Sequence, residues 1–280
     1  MERLLIVDGS NLLFQMFYGM PARIVGKTGK PIQGTLGFIG ALLKIIRMVR
    51  PSHVAVVFDG ACHNERCDLD ENYKANRPDY SAMAEEDTPF CQLPDIYASL
   101  DHLGICHRET TDCEADDWMA AYARQYGLDR EVVIASQDSD LFQLIGKNVR
   151  ILRYRGEKTV ICDRKYIIEK LGVEPSCYAD FKSLTGDGSD NIRGADKVGP
   201  KTAAALLQQF GSLENILSDW EQISRPSIRE AIHKDAERLR INRLLIRLDG
   251  QREPPFTWEE MAWLDGGLTT GQILHSIGLR

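Results

Sequence analysis

Acidic residues recur where predicted strands end or helices begin in the first 190 residues of this 280-residue chain. In an open α/β sheet, ligand sites form outside the carboxyl ends of the strands. Carboxylates gathered there repel one another unless cations hold them, because unpaired buried charge is very costly. Hard cations such as Mg²⁺ prefer oxygen ligands of this kind. The sequence therefore predicts a divalent-metal site with candidate ligands Asp8, Asp59, Glu114, Asp116, Asp117, Asp138, Asp140, Asp187 and Asp190.

Each acidic motif also has a structural explanation. The Asp-Gly pairs at 8–9 and 59–60 are common turn dipeptides. The acids of 114–117 fit charge complementation at a helix N-terminus, with a capping box just before them. The segment 187–198 could be a calcium loop, but its twelfth position is Val, where an EF-hand needs Glu. None of these explanations accounts for Asp138 and Asp140, which follow the predicted strand at 131–135. Their position therefore favours the metal site.

Strand-like and helix-like segments alternate in the first part of the chain. Short aliphatic runs at 4–7, 54–58 and 131–135 predict strands, and longer segments with helical spacing lie between them. Such alternation predicts an α/β fold with a mostly parallel central sheet flanked by helices. Later the strand pattern fades. We expect an α/β core over 1–165 and an α-rich part over 166–280.

Composition and charge set broad limits on function. A hydrophobic content of 43% is ordinary for a globular protein. No segment reaches the roughly 20 apolar residues of a membrane span, and the strand beginning at Leu4 leaves no room for a signal peptide. We therefore predict a cytoplasmic protein whose seven cysteines, Cys62 included, are reduced. The net charge of −7 argues against a nucleic-acid partner, unless divalent cations at the acids offset part of it.

Six motifs occur together in an order and spacing that cover essentially the whole chain. They are Val7-Asp8-Gly9-Ser10-Asn11, Phe58-Asp59-Gly60, Tyr73-Lys74-Ala75-Asn76-Arg77-Pro78, Glu114-Ala115-Asp116-Asp117, Asp138-Ser139-Asp140-Leu141-Phe142-Gln143-Leu144, and the stretch 186–203. In this arrangement the chain resembles the bacterial 5′-nuclease family. That family includes the 5′→3′ exonuclease domain of DNA polymerase I, stand-alone bacterial exonucleases and flap endonucleases. Since the chain ends at Arg280 without a polymerase region, we expect a stand-alone nuclease.

The resemblance implies two Mg²⁺ or Mn²⁺ ions in one active site. The carboxylates that match the family's first metal site are Glu114, Asp116, Asp117, Asp138 and Asp140. Asp187 and Asp190 match the acids that complete the second site. Asp8 and Asp59 match the acids at the ends of the first two strands, and we expect both to act in catalysis.

The resemblance also implies two DNA-contacting elements. Lys74 and Arg77 match catalytic basic residues at the base of a helical arch, placed at about 62–95, that admits a single-stranded 5′ end. Arg66 matches an arch-side basic residue, and Tyr73 could stack on an unpaired base or be buried. A helix-three-turn-helix element, of the helix-hairpin-helix type, is expected at about 184–210, where K⁺ can bind. Its expected DNA contacts are Arg193, Lys197, Gly199, Lys201 and Thr202.

The implied activity is a structure-specific 5′→3′ exonuclease or 5′-flap endonuclease, monomeric, acting in DNA replication and repair on Okazaki fragments or RNA primers. Its substrates would be DNA with a 5′ flap, a nick or a free 5′ end, with RNA–DNA hybrids as a further candidate. One departure is Gln15, where many family members carry Arg. The rivals are a DNA-binding protein without turnover, an RNA-cleaving nuclease, and a haloacid-dehalogenase-type phosphohydrolase. Ser10 stands where that last class needs a second Asp.

Overall fold

The computed structural model describes residues 2–27, 29–60, 65–80 and 83–280. Within these residues the central sheet consists of β1 (Arg3–Asp8), β2 (His53–Phe58), β3 (Cys106–Glu109), β4 (Glu131–Ala135), β5 (Val149–Arg153) and β6 (Val160–Cys162). The strands lie in the order β3-β2-β1-β4-β5-β6. The first five are parallel, and β6 pairs antiparallel with β5.

The central strands are aliphatic because helices cover both faces of the sheet. All residues from Leu4 to Val7 on β1 are fully buried. β1 pairs in parallel with β2 and β4, and its last residue, Asp8, lies level with Val57 on β2. The acids that follow these strands therefore emerge at one edge of the sheet.

Helices form a layer on each side of the sheet. On one side, α1 (Gly9–Gly19), α2 (Gln33–Val49) and α4 (Leu93–His102) pack through a core that includes Phe38 and Ile96. On the other side, α5 (Ala115–Tyr126) packs through Met119 and Tyr122. Short α3 (Glu65–Leu69) lies outside these layers, in the connection that follows β2.

The α-rich part has a core of its own, centred on Leu207, Leu213 and Ile232. Its elements are α6 (Arg164–Leu171), α7 (Tyr178–Thr185), α8 (Pro200–Phe210), α9 (Leu213–Ser218), α10 (Pro226–Lys234), α11 (Ala236–Ile246) and the short paired strands β7 (Gly186–Asp187) and β8 (Ile192–Arg193). Beyond it the chain returns to the sheet. Met261 and Trp263 hydrogen-bond beside the start of β2, and α12 (Thr270–Ser276) adds Ile273 to the first core.

The predicted fold class is confirmed: a mostly parallel sheet is flanked by helices and followed by an α-rich part. The boundary at 165/166 stays a prediction, with the qualification that the last residues pack onto the sheet layers. In the predicted arch, the described residues form α3 and 3-10 turns at Glu85–Asp87 and Pro89–Gln92. Cys62 and the rest of 61–64 and 81–82 lie outside the described residues. No helix in the described ranges is long and apolar enough to cross a membrane.

Candidate active site

The first two acids lie at the ends of adjacent strands. Asp8 closes β1 and caps α1, because its Oδ1 accepts a hydrogen bond from the Asn11 amide at 2.9 Å. Its Oδ2 accepts a hydrogen bond from the Ser136 hydroxyl at 2.6 Å. Asp59 follows β2, and its Oδ1 accepts from the Ala115 amide, the first residue of α5, at 2.9 Å. Both side chains therefore join a strand end to the start of a helix.

The start of α5 brings further acids to the same edge. Glu114 occupies the N-cap position of α5 but makes no side-chain capping bond, so the predicted capping box is absent and Asp59 caps the helix instead. Asp116 lies in the first turn of α5. Burial, together with the negative charges of Asp138 and Asp8, raises the pKa of Asp116 well above its ordinary value. Burial and the charge of Asp59 likewise raise the pKa of Asp8 to about 7.

Asp138 and Asp140 follow β4 in a tight loop. The Asp138 amide donates to the Ser136 hydroxyl at 3.0 Å, and Asp138 Oδ1 accepts from the Asp140 amide at 2.8 Å. Asp140 is buried, and burial and the charge of Asp138 raise its pKa to about 8. Its Oδ1 has no hydrogen-bond partner among the described residues. A buried carboxylate oxygen of this kind fits a divalent cation, which would lower the cost of the charge.

The acids of the second predicted group carry their own counter-charges. Asp187 pairs with the Lys182 ammonium, and its Oδ1 accepts from the Ser189 amide at 2.9 Å. Although burial alone would raise the pKa of Asp187, hydrogen bonds from Lys182 and Ser189 hold it below its ordinary value. Asp190 accepts a hydrogen bond from Arg77 at 3.0 Å. In the described ranges no three His, Cys, Asp or Glu side chains converge at metal-ligand distance.

Lys74 lies between the two groups of acids. Its ammonium pairs with Glu114, and its backbone amide donates to the Asp190 carbonyl at 3.0 Å. Its φ of 58° is uncommon for a residue other than glycine. The Tyr73 ring beside it is buried, packs near Ile192, and directs its hydroxyl to Glu114 at 3.4 Å. That burial favours the packing role of Tyr73 over the predicted stacking on a base.

Arg66 and Asp117 form a buried ion pair rather than an exposed site. The guanidinium donates to both oxygens of Asp117 at 2.8 and 2.9 Å and to Glu114 at 3.0 Å. Asp117 Oδ1 also accepts from the Asp249 amide at 2.8 Å, and Arg66 donates to the Arg247 carbonyl at 3.2 Å. Since both oxygens of Asp117 already have protein donors, the geometry disfavours its predicted role as a metal ligand. Burial equally disfavours Arg66 as a DNA contact.

Lys197, Gly199, Lys201 and Thr202 lie at or just before the start of α8, whereas Arg193 lies on β8. Gly199 is the N-cap of the helix, Pro200 follows in the first turn, and Lys201 is exposed. Lys197 is also exposed and has a φ of 64°. Arg193 is exposed, and its guanidinium forms an ion pair with the Asp196 carboxylate at 2.6 Å. Thr202 is half-buried in the first turn of α8.

Several residues at the site were not singled out from the sequence. Lys182 pairs with Asp187, and the Ser136 hydroxyl donates to Asp8. The only sequence feature that could have indicated the first contact is the position of Lys182, five residues before Asp187. Phe14, Tyr18, Tyr80 and Phe90 form edge-to-face and tilted contacts where the predicted arch meets α1. Gln15, the departure from the family pattern, donates to the Tyr154 carbonyl at 2.8 Å and so holds the end of β5.

Comparison with protein families matches nearly all of the chain. The model described as "5'-3' exonuclease, N-terminal resolvase-like domain" matches residues 3–172, and "5'-3' exonuclease, C-terminal SAM fold" matches residues 173–266. A 5'-3' exonuclease of Aquifex aeolicus is 35% identical over 226 residues, covering 80% of this chain and 75% of that protein. DNA polymerase I of Rhizobium leguminosarum is 37% identical over 256 residues, covering 88% of this chain and 24% of the polymerase.

Solved structures share the fold. T5 5'-exonuclease with bound zinc superposes with a TM-score of 0.73 at 21% identity, covering 89% of this chain and 90% of that one. A bacteriophage T5 flap endonuclease in a complex with DNA and metal ions gives a TM-score of 0.72 at 21% identity, covering 99% and 98% of the two chains. The present chain spans about a third or less of the polymerases it matches.

Proposed function

Because this chain belongs to the 5'-3' exonuclease family, we propose that it hydrolyses DNA phosphodiesters next to a 5′ end with the help of divalent metal ions. The observation that carries the proposal is the partnerless buried Oδ1 of Asp140, at a sheet edge where Asp8 and Asp116 also have raised pKa values. Burying several ionised acids side by side is costly, and a divalent cation between them would lower that cost.

We propose that a divalent ion at the sheet edge would draw together acids that do not converge on one point among the described residues. Asp8, Asp116, Asp138 and Asp140 would hold it, with Asp59 and Glu114 beside them. Asp187 and Asp190 would hold a second ion. Mg²⁺ or Mn²⁺ suits such oxygen donors. Bound there, the ions would stabilise negative charge on the attacking and leaving oxygens of the phosphodiester.

Lys74 and Arg77 would bring positive charge to the scissile phosphate. Each is held by an acid of the site, Lys74 by Glu114 and Arg77 by Asp190. The Arg77 side chain is 55% exposed and that of Lys74 is 18% exposed, so Arg77 is the more accessible of the two. Cations fixed in advance near developing negative charge act mainly on the transition state. We therefore assign both residues to catalysis.

The exposed start of α8 would hold duplex DNA. The amides of a helix N-terminus bind phosphate, and Lys197 and Lys201 add positive charge on either side of Gly199. Contacts with the backbone position a duplex without reading its sequence. A K⁺ ion bound at this hairpin stays a prediction.

The substrates that fit this arrangement are DNA with a 5′ flap, a nick or a free 5′ end. Processing of Okazaki fragments or RNA primers during replication and repair, by a monomer in the cytoplasm, is the corresponding cellular role. Support comes from the exonuclease of Aquifex aeolicus and from the DNA complex of the T5 flap endonuclease. The match of exonuclease family models to residues 3–266 argues against the haloacid-dehalogenase alternative.

The test is a titration of cleavage with Mg²⁺ and Mn²⁺ on matched flap, nicked and blunt DNA. We expect no cleavage in chelator, cleavage that rises with metal concentration, and products whose lengths place the cut near the 5′ end of the duplex. Tight binding of flap DNA in chelator, with no cleavage at any metal concentration, would instead identify a DNA-binding protein without turnover.

A further inference from the structure

A separate cavity of about 370 Å³ lies between α5, α7 and the C-terminal end of α11. Its polar lining is Arg124, Gln143, Ser176, Asp180, Arg243 and Arg247. Arg124 lies eight residues beyond Asp116 on α5, which is about 12 Å along the helix axis. Ser176 precedes α7, whereas Asp187 follows it. The cavity therefore lies away from Asp116 and Asp187 along α5 and α7, although the Asp140–Leu144 turn borders it.

The cavity is positively charged in a chain that is acidic as a whole. Three arginines and one aspartate line it, a formal charge of three minus one, or +2, against −7 for the chain. Arg243 is fixed by the buried Asp180 at 2.6 Å, and Asp180 is fixed in turn by the Leu213 amide at 2.9 Å. Among the described residues, Arg124 and Arg247 have no ion-pair partner. Both residues are exposed at the rim, and Arg124 also donates to the Gly250 carbonyl at 3.3 Å, so two guanidinium groups without a carboxylate partner border the recess and favour an anion there.

The side chains that line the recess suit a phosphoryl anion. Guanidinium groups bind phosphate through paired, charge-assisted hydrogen bonds, and the Ser176 hydroxyl adds another donor. Leu144 and Leu248 supply an apolar wall, and the volume is in the range of small-molecule sites. We propose that this cavity binds the phosphoryl group of a small phosphorylated molecule through Arg124, Arg243 and Arg247.

The cavity walls also touch the nuclease site. The Gln143 side chain donates to the Asp140 carbonyl at 2.8 Å and accepts from the Leu248 amide at 3.1 Å. The Arg247 carbonyl accepts from Arg66 at 3.2 Å. An anion that draws the Arg247 side chain inward therefore acts on both the Asp140–Leu144 turn and the Arg66–Asp117 pair. We expect binding in the cavity to be coupled to the placement of Asp140 through these contacts.

The test measures binding by calorimetry in EDTA and without DNA, so that it does not depend on nuclease activity. The probes are orthophosphate, pyrophosphate and a nucleoside 5′-diphosphate, which separate an inorganic source of the phosphoryl group from a nucleotide. We expect saturable binding of at least one probe at one site per chain. The double variant Arg124→Ala/Arg247→Ala should weaken it about tenfold or more, because charge-assisted bonds are lost.

Arg225→Ala is the matched control, since Arg225 is exposed and has no ion-pair partner within the described part of the chain. It should leave the affinity unchanged. Bound probe should also slow amide hydrogen exchange in the Asp140–Leu144 turn. The proposal is overturned if no probe saturates, if the control loses as much affinity as the double variant, or if the double variant binds every probe as tightly as the parent.

Discussion

The two groups of acids at the candidate active site differ in how their charge is balanced. At the sheet edge, Asp8 and Asp140 are buried with raised pKa values of about 7 and about 8. In the α-rich part, Asp187 and Asp190 are equally buried but pair with Lys182 and Arg77. The pKa of Asp187 is correspondingly held low by those hydrogen bonds, despite its burial.

From this difference we infer which group would depend more strongly on metal. Without a cation the buried sheet-edge acids are neutralised by protonation, as the raised pKa values of Asp8 and Asp140 indicate, and a divalent ion would take the place of those protons. The acids of the α-rich part are already neutralised, so an ion that binds there has to displace Lys182 and Arg77 from them. We therefore expect the sheet-edge site to bind metal more tightly than the second site. Four predictions test this contrast.

The largest effect is expected for Asp140→Asn. Asn keeps the shape of the side chain but removes the charge that would hold the metal. Cleavage of flap DNA should fall about a thousandfold or more, which corresponds to about 4 kcal/mol of transition-state stabilisation. Folding and some DNA binding should remain. The control Asp129→Asn changes an exposed acid outside the site and should cut at the parent rate. Parent-like cleavage by Asp140→Asn would make the metal-ligand assignment untenable.

Asp117→Asn should act on stability instead of metal binding. Breaking a buried ion pair from one side costs about 3 kcal/mol, because the Arg66 guanidinium stays buried. Urea unfolding should show this loss, while the metal concentration for half-maximal cleavage stays close to the parent value. A shift of that concentration as large as that of a sheet-edge variant would return Asp117 to the list of ligands.

Lys74→Ala should separate catalysis from binding. Its ammonium pairs with Glu114 at the candidate active site, so its loss should slow cleavage about a hundredfold while DNA affinity falls far less. Lys201→Ala, at the exposed start of α8, is the companion variant and should weaken binding more than cleavage of bound DNA. Equal losses in rate and affinity for Lys74→Ala would recast it as an ordinary phosphate contact.

The smallest effect concerns the pH dependence of stability without metal. The folded pKa values of Asp8 and Asp140 lie above the unfolded ones, so the folded state binds more protons between about pH 4 and 8. Unfolding free energy should therefore decrease as pH rises through this window, and Mg²⁺ should reverse the decrease. The contribution of Asp187 to the unfolding free energy has the opposite pH dependence. Because its pKa is lowered in the folded state, it stabilises the folded protein above about pH 4, and this contribution is lost in acid. A pH profile unchanged in Asp140→Asn would contradict this account.

The parts of the fold that sequence could predict are those with a local cause. Continuous aliphatic runs such as that of β1 indicate buried parallel strands, and parallel strands bring the acids that follow them to one edge. The Arg66–Asp117 pair joins residues 51 positions apart, so no local spacing indicates it. The burial of Tyr73 and the return of Trp263 to the start of β2 likewise depend on tertiary packing. Asp116 and Asp117 are adjacent acids with the same predicted role. The contact of Arg66 with Asp117 is what distinguishes their roles in the structure.

The most direct test of the central claim is a count of bound Mn²⁺ ions by electron paramagnetic resonance. We predict two ions per chain, one bound more tightly than the other. Asp140→Asn should lose the tighter ion, and Asp187→Asn/Asp190→Asn should lose only the weaker one. A single ion in the parent protein, or loss of the tighter ion from the Asp187/Asp190 variant, would contradict the assignment of the two groups.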